Sequence, residues 1–191
     1  MMRAITDWLR AHGRFTWVVA TFAGTAACIW IFNVVITPPF EAATSGYRPI
    51  DLQFPITVDL LQEQLPAYGP DSRRIYVWFQ VVDFIFPALA GLFTALLWAW
   101  MVNLAGLAIL DRLAGAGLLL VPFVPAVFDW LENVGFLILV FAYPPLPMGV
   151  AEISVVLREI KLIAMTVNGT LTGLIVVLAL GSAGIRRLRG G

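Results

Sequence analysis

In the segment FDWLENVG, Phe128 to Gly135, the residues Asp129, Glu132 and Asn133 fall three and four positions apart and so share one face of a helix. LLLVPFVPAV precedes the segment and FLILVFAY follows it, so two carboxyl groups and an amide interrupt a strongly apolar stretch. The spacing recurs elsewhere. Tyr76, Gln80 and Asp83 line one face of a second apolar stretch, and Arg158 and Lys161 one face of a third, with Glu159 beside them. A carboxyl group kept protonated in apolar surroundings can give up a proton, and an ionised neighbour can stabilise the charge that forms. Asp83, Asp129 and Glu132 are therefore the candidate catalytic residues. Asn133, Arg158, Lys161, Gln80, Tyr76 and Arg74 are the candidate ligand-binding residues.

The elements that carry these residues follow from composition. Of 191 residues, 60% are hydrophobic and only 13% charged, and the mean hydropathy is +0.89. A soluble domain carries about a quarter charged residues. One small core cannot hide this excess, so lipid is the expected solvent and the chain reads as an all-α integral membrane protein. The net charge is zero and no basic run points to nucleic acid. One cysteine, Cys28, and one histidine, His12, exclude an intramolecular disulfide, a paired-histidine haem and a histidine-rich zinc site. Oxygen ligands from the acids would suit magnesium or calcium, but Arg158 and Lys161 already supply positive charge. No metal and no cofactor are expected.

A helix needs about 20 mostly apolar residues to cross the hydrocarbon core. Four segments qualify, about 15–37, 75–104, 112–142 and 151–183, in one four-helix bundle spanning 1–191. Pro38 and Pro39 are expected to stop the first, Asp71 and Ser72 to cap the second, and Pro144, Pro145 and Pro147 to turn the third into the fourth. Thr25-Ala26-Ala27-Cys28 hints at a lipoprotein cleavage site, but Thr25 replaces the usual Leu and the apolar run continues past Cys28, so a retained helix is expected. Arg3, Arg10, Arg14, Arg112, Arg186, Arg187 and Arg189 cluster on one side. On the other, Arg48, Arg73 and Arg74 are diluted by Glu41, Asp51, Asp59, Glu63 and Asp71. The positive-inside bias then puts both termini in the cytoplasm, with a bacterial inner membrane as the expected location. Trp17, Trp98 and Trp100 are expected at the inner interface, and Trp30, Trp78 and Tyr143 at the outer one. The long outer loop, about 38–74, is expected to hold a short amphipathic helix capped by Thr57, with Val58, Leu61 and Leu65 on one face and Pro66 and Gly69 ending it.

In this orientation Asp83 lies about 13 Å along its helix from Arg74, Glu132 about 18 Å from Pro144 and Lys161 about 21 Å from Pro147. These depths are comparable, in the outer half of the bundle. Span one offers Thr21, Thr25, Cys28 and Asn33, and span four continues with Asn168 and Thr172, so each span carries a polar stripe expected to face the interior. A charge at mid-bilayer costs at least about 2.5–3.5 kcal/mol, so the groups must pair. If Arg158 pairs with Glu159 or Glu132 and Lys161 with Asp129, Asp83 is the acid left to hold a proton. Pro87, Pro122 and Pro125 remove backbone hydrogen bonds near this level. Gly169 and Gly173, and the ridge Ala20, Gly24 and Cys28, suit close helix packing within the chain, with dimerisation as the alternative. Arg73 and Arg74 stand in a first helical turn, where the helix dipole disfavours cations, so an anion such as lipid phosphate or an acidic ligand group should compensate.

Three functions fit these residues. The first is a pocket for a small amphiphilic or lipid-like molecule, with acid–base chemistry of an isomerase or cyclase kind. The second is a structural or accessory subunit of a larger membrane protein complex, with the polar cluster as buried glue. The third is a proton or ion relay through Asp83, Asp129 and Glu132. Membrane lipid is a partner in all three.

Overall fold

The computed structural model describes residues 2–190, and every regular element among them is helical. In order these are α1 (Met2–His12), α2 (Phe15–Trp30), a π-helical turn (Ile31–Ile36), α3 (Thr37–Ala43), a 3-10 turn (Ile50–Leu52), α4 (Val58–Gln64), a second 3-10 turn (Leu65–Ala67), α5 (Pro70–Ala105), α6 (Ala108–Gly115), a 3-10 segment (Leu118–Phe123), α7 (Val124–Ala142) and α8 (Met148–Gly190). Four continuous helical runs are long and apolar enough to cross a membrane: Phe15–Ala43, Pro70–Ala105, Leu118–Ala142 and Met148–Arg189.

The runs differ from the expected spans where local chemistry departs from the simplest rule. Pro38 and Pro39 do not stop the first helix. A π turn precedes them, closed by the Thr37 N–H on the Phe32 carbonyl, and both prolines then fall in the first turn of α3. A first-turn N–H has no helical acceptor, so its loss there costs little. The third run begins at Leu118 rather than 112, because Gly117 adopts φ +109° and breaks the chain after α6. α5 already starts at Pro70, so Asp71 lies inside its first turn, and the Ser72 hydroxyl donates to the Gly69 carbonyl at 3.0 Å. The short α4 forms as expected, with Thr57 Oγ1 accepting from the Leu60 N–H at 3.1 Å and Leu61 and Leu65 buried. Sequence reasoning missed α1, whose length is well below that of a span.

The chain divides into two compact units. The first comprises Met1–Thr25, Ala88–Ala126 and Ile163–Gly191. Its apolar core is built from Leu9, Leu96, Val102, Leu110, Leu119 and Ile175 around Trp98. Trp98 is fully buried within the protein, its indole N–H donating to Thr172 Oγ1 at 2.8 Å. Arg186 donates to the carbonyls of Leu104 and Ala105, satisfying orphan groups at the end of α5. Thr21 and Thr25 donate to carbonyls of their own helix, at Trp17 and Thr21. Gly169 and Gly173 face open space where a side chain would stand, so that ridge does not pack within the chain as expected.

The second unit comprises Ala26–Pro87 and Val127–Leu162. Its interior combines an aromatic group, Phe32, Phe40, Tyr68, Tyr76 and Phe79, with a set of buried charged side chains. Asn33, expected to face the interior, is exposed in this unit and donates to the Ile29 carbonyl. α7 and α8 approach closely here. A Cβ on Gly135 would collide with the Ser154 hydroxyl, so the glycine of FDWLENVG is a contact point between helices.

Candidate functional site

The second unit brings the three predicted faces together. α5 contributes Tyr76, Gln80 and Asp83, α7 contributes Asp129, Glu132 and Asn133, and α8 contributes Arg158 and Lys161, all with little or no exposure. Helical spacing alone aligns each group on its own element. Lys161 Nζ donates to Asp129 Oδ1 at 2.6 Å and also pairs with Glu132. Arg158 Nη1 donates to Glu132 Oε1 at 3.0 Å, and its Nη2 donates to the Gln53 carbonyl at 3.1 Å. Two carboxylates and two cations thus satisfy one another, while Glu159 remains exposed.

Asp83 is placed differently. Only 7% exposed, its carboxyl makes no hydrogen bond or ion pair among the described residues. Asp51, Asp129, Glu132 and Lys161 all lie within electrostatic reach of it. Its main-chain carbonyl accepts from Asn133 Nδ2 at 3.4 Å. Three acceptors in this neighbourhood are buried without a hydrogen-bond donor: Glu132 Oε2, which the Lys161 ammonium meets as an ion pair, and Asn133 Oδ1 and Gln80 Oε1, which meet no charge partner. The Nε of Arg158 is likewise buried without an acceptor. Such atoms are uncommon in folded proteins and mark places where a further polar group belongs.

One member of the cluster escaped sequence reasoning. Asp51, in a 3-10 turn outside the spans (Ile50–Leu52), is 7% exposed and reaches the face of α5. The Tyr76 hydroxyl donates to Asp51 Oδ2 at 2.6 Å, and Gln80 Nε2 donates to Oδ1 at 2.9 Å and to the Tyr76 hydroxyl at 2.8 Å. Burial pushes the Asp51 carboxyl above the ordinary carboxylate range, and the bond from Tyr76 opposes this only in part. Tyr68 packs edge-on to Phe40 with ring centres 5.0 Å apart, and its hydroxyl accepts from the Ile50 N–H at 3.1 Å and from Gln64 Nε2 at 2.8 Å. Burial and the nearby Asp51 charge push that phenol upward, so it stays protonated. The available signal was the alternation in Ile50, Asp51 and Leu52, an acid flanked by two apolar residues inside a polar loop.

Arg74 lies elsewhere in this unit. It is exposed at the start of α5 and lines a cavity of ≈ 510 Å³ with Tyr68, Pro70, Arg73, Val77 and Phe141. Arg73 is held in place, its Nε donating to the Tyr68 carbonyl at 2.9 Å and its Nη2 to the Tyr143 carbonyl at 3.0 Å. Trp130, next to Asp129, donates its indole N–H to the Phe84 carbonyl at 2.9 Å and takes no part in the charge network.

The cluster therefore holds four carboxyl groups, Asp51, Asp83, Asp129 and Glu132, against two cations, Arg158 and Lys161. The imbalance is a demand for protons or for a proton-donating or cationic guest, since unpaired buried charge is too costly to persist. Compared with protein-family models, with curated proteins and with solved structures, the chain finds no match in any of the three.

Proposed function

We propose that the protein is an integral membrane protein, inserted with both termini in the cytoplasm of a bacterial inner membrane, that binds a small amphiphilic or lipid-like molecule against the buried polar cluster. Asp83 is the acid–base group of that site. The observation that carries this reading is the contrast between Asp83, buried without a partner, and the paired set Asp129, Glu132, Arg158 and Lys161 around it. The orphaned acceptors Gln80 Oε1 and Asn133 Oδ1 supply the polar contacts that would orient a hydroxyl or amine on the guest.

The chemistry needs no co-reactant. A protonated Asp83 adds its proton to one carbon of a double bond, which leaves a carbocation and a carboxylate. Loss of a proton to that carboxylate from the carbon on the far side of the cationic centre shifts the double bond and restores the acid. Asp129 and Glu132, fixed in place by Lys161 and Arg158, turn their oxygens toward the cation between the two transfers.

The test is mass spectrometry of small molecules that co-purify with the wild-type protein and with Asp83→Asn and Glu132→Gln. A bound amphiphile present in the wild type and lost from both variants, with melting temperature retained in Asp83→Asn and lowered in Glu132→Gln without loss of the fold, is the expected result. Retention of the same molecule in both variants would sink the reading. A second reading, a structural subunit of a larger membrane complex, is favoured by the mutual satisfaction of Asp129, Glu132, Arg158 and Lys161. That reading gains if both variants simply unfold.

A further inference from the structure

The cavity at the start of α5 combines two features that belong to different chemistries. Arg73 and Arg74 both line it, while Val77 and Phe141, both exposed, continue it as an apolar surface. Arg73 is anchored through the Tyr68 and Tyr143 carbonyls. Arg74, in contrast, is exposed and makes no hydrogen bond or ion pair among the described residues, although Asp71 stands one turn before it. One cation is preset in position and the other is free to close on a guest. The apolar run of α5 begins at this point, so a spanning α5 puts the cavity at headgroup level.

We propose that this cavity binds the phosphate group of an anionic membrane lipid, with Arg73 and Arg74 on the phosphate and the acyl chain along Val77 and Phe141. Guanidinium and phosphate pair with two donors on two oxygens, and this geometry distinguishes a phosphomonoester from a zwitterionic headgroup whose charge is already compensated. An anion here also answers the unfavourable placement of two cations near a helix N-terminus, Arg73 in the first turn of α5 and Arg74 just after it. The volume of ≈ 510 Å³ accommodates a headgroup and the first methylenes of a chain. The site is separate from the acid cluster and does not rest on any chemistry at Asp83.

The test uses the full-length protein in nanodiscs of phosphatidylcholine, titrated with phosphatidic acid and read by native mass spectrometry. Preferential binding of phosphatidic acid, weakened about tenfold in Arg74→Gln and unchanged in Asp83→Asn, is the expected result. Arg74 is the informative position because its replacement breaks no intramolecular bond. A Val77→Asp variant, which spoils the apolar wall and keeps both arginines, should weaken lipid binding as well. Equal binding of phosphatidic acid and phosphatidylcholine overturns the proposal, as does undiminished selectivity in Arg74→Gln. Saturation of the site by inorganic phosphate at the lipid's own concentration overturns the lipid as its source.

Discussion

Asn133 Nδ2 donates to the main-chain carbonyl of Asp83 at 3.4 Å, and this is the carbonyl that Pro87 leaves without a helical partner. In an α-helix the Asp83 carbonyl would accept from the N–H of residue 87. Proline has no N–H to give. The amide of FDWLENVG therefore completes the hydrogen bonding of another helix, and fixes α7 against α5 at the level of the unpaired carboxyl.

Removing that amide should expose the deficit. Asn133→Ala is expected to lower stability by about 1–3 kcal/mol, the cost of a buried carbonyl left without a donor. Adding Pro87→Ala, which restores an N–H to the ladder, should recover part of the loss. Thermal melts of the two single variants and the double variant in one detergent measure the coupling, and strict additivity would show that the two residues do not share this carbonyl.

The paired and unpaired carboxyl groups should respond in opposite ways to neutralisation. Lys161→Met strands Asp129 and leaves Glu132 with Arg158 as its one cation, and it is expected to cost about 3–5 kcal/mol. Asp83→Asn breaks no ion pair and should cost less than about 1 kcal/mol. Denaturation curves that reverse this order would remove the distinction on which the proposed acid depends.

Asp51 gives a pH dependence whose sign can be worked out. Its folded-state pKa is raised by burial above the ordinary value of about 3.9. Its contribution to stability is then fully present below that ordinary value and is lost as pH rises through the folded-state value. The slope over that window is at most about 1.4 kcal/mol per pH unit. Tyr76, Gln80 and Lys161 favour the ionised form, and burial outweighs them. Asp51→Asn should remove this component, so the difference between wild-type and variant stability should change with pH in that window. A constant difference would contradict the burial of Asp51.

A methyl group at Gly135 would force the Ser154 hydroxyl off its bond to the Val150 carbonyl and leave a tight contact with the Ser154 Cβ. Gly135→Ala is expected to destabilise by about 1–3 kcal/mol through overpacking. Replacing Ser154 with Ala removes the hydroxyl that the new methyl would meet, and the double variant should regain most of the stability. Failure of that rescue in calorimetry would place the strain elsewhere.

Much of this arrangement was written in local pattern. The spacing of Asp129, Glu132 and Asn133, of Tyr76, Gln80 and Asp83, and of Arg158 and Lys161 needs only the helical repeat to align each set. Apolar length identified the four runs, and the cost of isolated charge required Lys161 to find an acid, which in the structure is both Asp129 and Glu132. Asp51 was hidden for a physical reason: its burial depends on a loop folding back onto α5, and no periodicity records that event. The Gln53 carbonyl beneath Arg158 was hidden likewise, since a main-chain acceptor has no residue type. Pro38 and Pro39 misled because a proline's cost depends on its place in a helix, and a π turn moved both into a first turn.

The network shared by α7 and α8 also constrains how such a chain can be made. α7 brings Asp129 and Glu132 and no cation of its own, while the matching Arg158 and Lys161 arrive with α8 only after synthesis has passed the turn at 143–147. Released singly into lipid, α7 would carry two uncompensated charges at about 2.5–3.5 kcal/mol each on the most lenient scale. Together, the two segments neutralise one another. A translocon handling this sequence would therefore do best to hold α7 at its lateral gate until α8 emerges, and to release the two as a hairpin.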